Sequence, residues 1–117
     1  KDLPDIMFRI SGMFCGVELK LMGSRHPTQH LVGQAWWLEK NTDIGCFCDS
    51  LDGFKCLIKS VIAVPATGTA FSKELKLLRF IGDDSSIIHP LMVIDYCKSI
   101  KTKTTTWNKE NFTKFAK

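Results

Sequence analysis

Two cysteines and two histidines are the residues whose type and spacing first suggest chemistry. Cys46-Phe47-Cys48 puts two thiols on one face of an extended chain, and His26-x-x-x-His30 adds two imidazoles from a polar stretch upstream. Thiolate sulfur and imidazole nitrogen are the donors that a tetrahedral zinc site takes, so Cys46, Cys48, His26 and His30 are weak metal candidates. The spacing argues against them, because the common knuckles use Cys-x-x-Cys so that backbone amides support the sulfurs. The simpler reading makes Cys46, Cys48 and Cys56 packing residues of a core, with no metal and no cofactor. The same thiols and imidazoles could pair as nucleophile and base, but nothing in the sequence says that they meet. There is no Gly-x-Ser-x-Gly elbow, no phosphate-cradling glycine loop and no His-Glu-x-x-His. His89, ahead of Pro90, reads as a turn residue, and an enzyme is not expected.

Binding chemistry has more to work with. Trp36 and Trp37 are adjacent, so in a strand they point to opposite faces and only one fills a given core. The other, taken as Trp37, is then a candidate anchor for a protein partner or a platform for stacked bases. Lys55 and Lys59 share a strand face in the same region. From residue 98 onward the chain holds six lysines and one acidic residue, Glu110, so the net charge of +4 belongs to this end alone. Lys98, Lys101 and Lys103 open that segment, which would be drawn to phosphates or to an anionic membrane surface, less so as salt rises. A solvated lysine-rich tail is the plainer account. Arginine is scarce, with only Arg9, Arg25 and Arg79, and no glycine-aromatic ribonucleoprotein signature accompanies it.

The elements that would position these groups centre on residues 31–64. Over 31–40, Val32, Gln34, Trp36 and Leu38 fall on one parity and Leu31, Gly33, Ala35 and Trp37 on the other. Ile44 to Cys48 is a short apolar run, and residues 49–53 read as a turn. Phe54, Cys56, Ile58, Ile62 and Val64 alternate with lysines until Pro65, so the whole stretch predicts a three-stranded meander. Upstream, residues 6–10 and 13–22 flank Ser11-Gly12 and predict two strands in a hairpin, or one long strand bulged there; Gly16 could mark a second bulge. Val17, Leu19 and Leu21 alternate in the second strand with Glu18, Lys20 and Met22. Residues 23–30, with Arg25, His26 and His30, form a polar loop and a natural place for function.

After Pro65, residues 71–81 favour a helix capped by Ser72, although a strand is also permitted. Pro90 could open a helix over 90–100, against which stand the β-branched Val93 and Ile94. Thr104-Thr105-Thr106 offers an N-cap for a C-terminal helix over 107–116, with Trp107, Phe112 and Phe115 on an apolar stripe.

At 117 residues, 44% apolar and 24% charged, the chain predicts one α+β domain over 1–117, β-rich over 6–64 and mixed or helical over 71–116. The sheet is expected to be an antiparallel meander of five to six strands, or a partly open barrel, with one to three helices in the C-terminal half. No apolar run is long enough to span a membrane. Five cysteines, an odd count, fit a reducing intracellular compartment. The start at Lys1, without an initiator Met or a signal-peptide pattern, reads as a trimmed chain. The expected function is non-catalytic: an interaction or assembly domain that binds a protein partner or itself through Trp37 and the loop with Arg25, His26 and His30. The alternative is binding of single-stranded nucleic acid or an anionic membrane surface through Lys55, Lys59, Lys98, Lys101 and Lys103.

Overall fold

The computed structural model describes residues 3–10, 12–63 and 87–116. Strands β1 (Ile6–Ile10) and β2 (Met13–Leu19) form the expected antiparallel hairpin, with Ile6 opposite Val17 and Ile10 opposite Met13. Gly12 turns it with φ of +78°, a backbone region that suits glycine. Gly16 marks no bulge: it lies in regular register, opposite Met7 on one side and Gly45 on the other.

Beyond the hairpin the antiparallel meander is overturned. Residues 31–40 are not a strand but the body of helix α1 (Thr28–Asn41), entered through a short strand β3 (Arg25–Pro27). Leu31, Gln34, Ala35 and Leu38 are its buried positions, a spacing of three and four that only a helix brings to one face. The helix carries the chain across to β4 (Ile44–Cys48), which pairs in parallel with β2. Parallel neighbours need such a crossover, and a hairpin turn cannot make them. The third strand expected of the meander is also a helix, α2 (Leu51–Ala63), started by Ser50, whose Oγ accepts from the Gly53 amide at 3.0 Å. Leu57 is buried and Phe54 packs beside it, while Lys55 and Lys59 are exposed.

The short strand β5 (Ile87–Ile88) closes a four-stranded mixed sheet of order β1-β2-β4-β5, antiparallel to β4. It is not a barrel. Helix α3 (Pro90–Ile100) begins with Pro90 behind an N-cap at His89, whose Nδ1 accepts from the Leu91 amide at 3.0 Å. The three threonines at 104–106 do not cap a helix. They form strand β6 (Thr104–Thr106), antiparallel to β3, as β-branched residues favour. Helix α4 (Lys109–Ala116) starts instead at Asn108, whose Oδ1 accepts from the Glu110 amide at 3.0 Å. The helix expected over 71–81 lies outside the described residues.

Two cores cover the sheet. Cys15, Val17, Ile44, Cys46 and Cys48 point to one side, against Leu57 and Phe54 of α2. Phe47 and Ile88 point to the other, into a larger cluster with Leu31, Ala35 and Leu38 of α1, Met92 and Val93 of α3, and Trp107 and Phe112. Helices thus stand in both halves of the chain and on both faces of the sheet. Gly16 and Gly45, side by side on β2 and β4, let α1 sit close: a Cβ on Gly45 would fall 2.6 Å from Thr42 Oγ1 and 2.9 Å from Leu38 Cβ. Among the described residues, no helix is long and apolar enough to cross a membrane.

Candidate active site

Alternation along β2 sends Val17 into the α2-side core and therefore sends its neighbour Glu18 to the α1 side. There Glu18 is 4% exposed and Lys20, two residues on and on the same face, is 6% exposed. Lys20 Nζ lies 3.1 Å from Glu18 Oε2. Gln34, on the buried face of α1, donates from Nε2 to the same oxygen at 2.8 Å. Both partners thus converge on Oε2. Glu18 Oε1 and Gln34 Oε1 are buried with no hydrogen-bond partner among the described residues.

The hairpin supplies a second carboxylate. Ile6 faces Val17, so Asp5, one residue before β1, arrives beside Glu18 at the open end of the ribbon. Asp5 Oδ2 accepts from the Leu19 amide at 2.9 Å, the residue between Glu18 and Lys20. Burial pushes Glu18 above the usual carboxylate range, Lys20 pulls it down, and Asp5 acts both ways, its carboxylate raising and its backbone N–H lowering it. Lys20 extends the ladder beyond β2, its amide donating to the Cys48 carbonyl at 2.9 Å.

Of the residues singled out from sequence, His26 comes nearest. It is half-buried on β3, its Nε2 lies 2.7 Å from Ser24 Oγ, and its pKa is lowered by burial first, then by Lys20 and His30. The loop at 23–30 therefore borders the cluster, although it holds β3 and the first turn of α1. Arg25 is exposed on β3 and donates to Thr104 Oγ1 at 3.0 Å, and His30 is exposed on α1. Trp37 is half-buried against the larger core and is no free anchor; Trp36 is the more exposed of the pair. Lys55 and Lys59 lie on α2, across the sheet from α1, so they do not join the C-terminal lysines on one strand face. Lys98, Lys101 and Lys103 do come together, around one groove.

The candidate zinc set is not assembled. Cys46 and Cys48 are buried on the α2 side, whereas His30 belongs to α1 on the other. Among the described residues, no group of three or more His, Cys, Asp and Glu converges. Burial pushes the Cys46 thiol far up and the Cys15 thiol to about 11, so neither is a nucleophile at neutral pH.

Glu18, Lys20, Gln34 and Asp5 were not singled out from the sequence. The signal was present: an acid and a base two apart on one strand, with a carboxylate placed opposite by the hairpin register. A buried ion pair can be purely structural, but then its remaining lone pairs are normally satisfied. Leaving a buried acceptor unmade costs about 1–3 kcal/mol, and here two such oxygens belong to residues bonded to each other. Two carboxylates and an amide oxygen are hard donors of the kind a divalent cation takes, and the ammonium beside them is suited to a phosphate oxygen. No protein-family model, curated protein or solved structure matches this chain.

Proposed function

We propose that the chain is a divalent-cation-dependent phosphodiesterase that hydrolyses nucleic acid, a nuclease. The observation that carries this reading is Glu18: a carboxylate 4% exposed, bonded through one oxygen to Lys20 and Gln34, with no hydrogen-bond partner for the other oxygen among the described residues and Asp5 alongside.

Asp5 and Glu18 would hold magnesium or manganese through their carboxylate oxygens. Bound there, the ion would supply a more acidic water and positive charge beside the scissile phosphate. Lys20 places a fixed ammonium beside the same point, where it stabilises negative charge that grows on the phosphoryl oxygens in the transition state. Gln34 holds Glu18 by one oxygen and so aims the other. In the reaction the water oxygen forms a new bond to phosphorus and the bond to the sugar oxygen breaks. The water gives up a proton to solvent, and the departing sugar oxygen takes one from solvent.

A polyanionic substrate agrees with the net charge of +4 and with the lysines of the C-terminal segment. The test is cleavage of end-labelled single- and double-stranded DNA and RNA with magnesium or manganese, beside E18Q and K20M. Cation-dependent products from the native chain, lost in both variants, support the reading. Cleavage that survives E18Q, or none on any substrate with either cation, overturns it.

Nucleic-acid binding without cleavage is a second reading, favoured by the groove that gathers Lys98, Lys101 and Lys103. Recognition of a protein partner through Trp37 has less behind it, because that side chain packs against the core.

A further inference from the structure

On the side of α1 turned away from Gln34, a strip of quite different character runs the length of the helix. Gln29, Val32, Trp36 and Lys40 are spaced three, four and four apart and so share one face. The C-terminal end of α3 and the segment after it lie alongside. Together they enclose an open groove of about 630 Å³ lined by Pro27, Gln29, Val32, Lys98, Lys101 and Lys103, among others. Among the described residues, no acidic side chain lines it.

Trp36 continues the groove by one helical turn and is 36% exposed. Two ammonium groups lie over its indole ring, Lys40 Nζ at 5.7 Å and Lys98 Nζ at 5.6 Å from the ring centroid. An exposed aromatic beside cations, at the end of a lysine-lined channel, has the make-up of a site for an unpaired nucleic-acid strand. A base stacks on the ring face, and the phosphates on either side meet the lysines. A duplex hides its base faces within the helix stack and would leave Trp36 without a partner. A lipid headgroup would engage the lysines and make no use of a single indole beside them.

We infer that the α1–α3 face centred on Trp36, with Lys40, Lys98, Lys101 and Lys103, is a binding track for single-stranded nucleic acid. The track lies across α1 from the carboxylates, so it captures the strand and takes no part in bond cleavage. It goes beyond the nuclease reading and stands without it.

The experiment is equilibrium binding of a fluorescein-labelled oligo-dT to the full chain in EDTA, followed by anisotropy at several salt concentrations. Without divalent cation no cleavage is in play, so failure here is separate from failure of the nuclease assay. W36A should weaken binding about tenfold or more, and W36F, which keeps a ring, should retain most of the affinity. Replacing Lys98, Lys101 and Lys103 together by Ala should reduce the slope of log K against log salt by about 2. K55A/K59A should bind as the native chain does, because those lysines lie on the other side of the sheet. Native-like binding by W36A and the triple variant overturns the inference. So does duplex binding equal to that of oligo-dT, or binding to phosphatidylserine vesicles that falls in step with oligo-dT across the same variants.

Discussion

The Leu19 backbone amide donates to Asp5 Oδ2 at 2.9 Å, so the residue between Glu18 and Lys20 is the one that fixes the second carboxylate. The hairpin thus fixes Asp5 through a backbone amide of the facing strand, while Glu18 is held by the side chains of Lys20 and Gln34.

Replacing either carboxylate by its amide should abolish cation-dependent cleavage while leaving the fold intact. D5N and E18Q keep the side-chain shape and lose the charge, and each is expected to lower kcat by about 100-fold or more. The check is rate measurement with far-ultraviolet circular dichroism on the same samples. K20M should lose a similar factor.

Glu18 should make stability fall as pH rises. Burial holds its folded pKa above the unfolded one, so the folded state prefers the protonated acid. The cost is absent below the unfolded carboxylate range and is fully present above the raised folded pKa. Denaturation midpoints across that range should therefore decline more in the native chain than in E18Q. Magnesium at neutral pH should reverse the decline, by about 2.7 kcal/mol at one hundred times its Kd, and should do so only where Glu18 is present.

His26 gives a probe of distance. Its pKa is lowered by burial and then by Lys20. Following the imidazole carbon protons by NMR through a titration should show it below the ordinary histidine value, and K20M should move it part of the way back. Because the folded pKa is depressed, its contribution to stability is fully present above the unfolded value near 6.5 and is lost as pH falls from there through the lower folded pKa. An unchanged His26 titration in K20M would mean that the β3 segment does not border the cluster.

G45A tests how α1 is seated. The added Cβ would fall 2.6 Å from Thr42 Oγ1 and 3.2 Å from the Leu38 carbonyl, and backbone does not swing aside. Overpacking of this kind costs about 1–3 kcal/mol, read as a lower midpoint in urea. A second consequence should follow: moving the helix stretches the Gln34 to Glu18 bond, so residual activity should fall by more than the folded fraction does.

Thiol labelling separates the buried cysteines from reactive ones. Cys15, Cys46 and Cys97 are each buried, and burial raises the Cys15 and Cys97 thiols to about 11. At pH 8 their modification, mapped by mass spectrometry, should be no faster than global unfolding. Rapid labelling of Cys46 in the native state would contradict its place in the core.

The parts of the fold legible in the sequence are short elements with a turn, parity or cap signal of their own. The hairpin, whose second strand ends at Leu19 and not at residue 22, the Ile44 to Cys48 strand and the helix opened by Pro90 are of this kind, although Ser11-Gly12 also permits one bulged strand and Val93 and Ile94 count against the helix. Helix α1 is masked by a polar residue on its buried face. Its buried positions are Leu31, Gln34, Ala35 and Leu38, and the polar Gln34 in that set broke the period of 3.6. A period of two then looked as good, and the tryptophan pair encouraged it. Glu18 and Lys20 were obscured in the same way, because charged residues alternating with Val17 and Leu19 look like the wet face of a strand. Sequences depart from the burial rules where a site requires it, so the misreadings and the site coincide. Helix α2 failed for another reason: a run of apolar residues over 54–64 serves either structure, and only the Ser50 cap decides.

Gly16 and Gly45 face each other across β2 and β4, and α1 rests on them. The distance between α1 and the sheet is thus gauged by two missing side chains. Alanine scanning of charged and polar residues would find Asp5, Glu18, Lys20 and Gln34 and pass over both glycines. Yet any methyl group at either position is a spacer under the helix, and it would alter the clearance between Gln34 and Glu18 without touching either one.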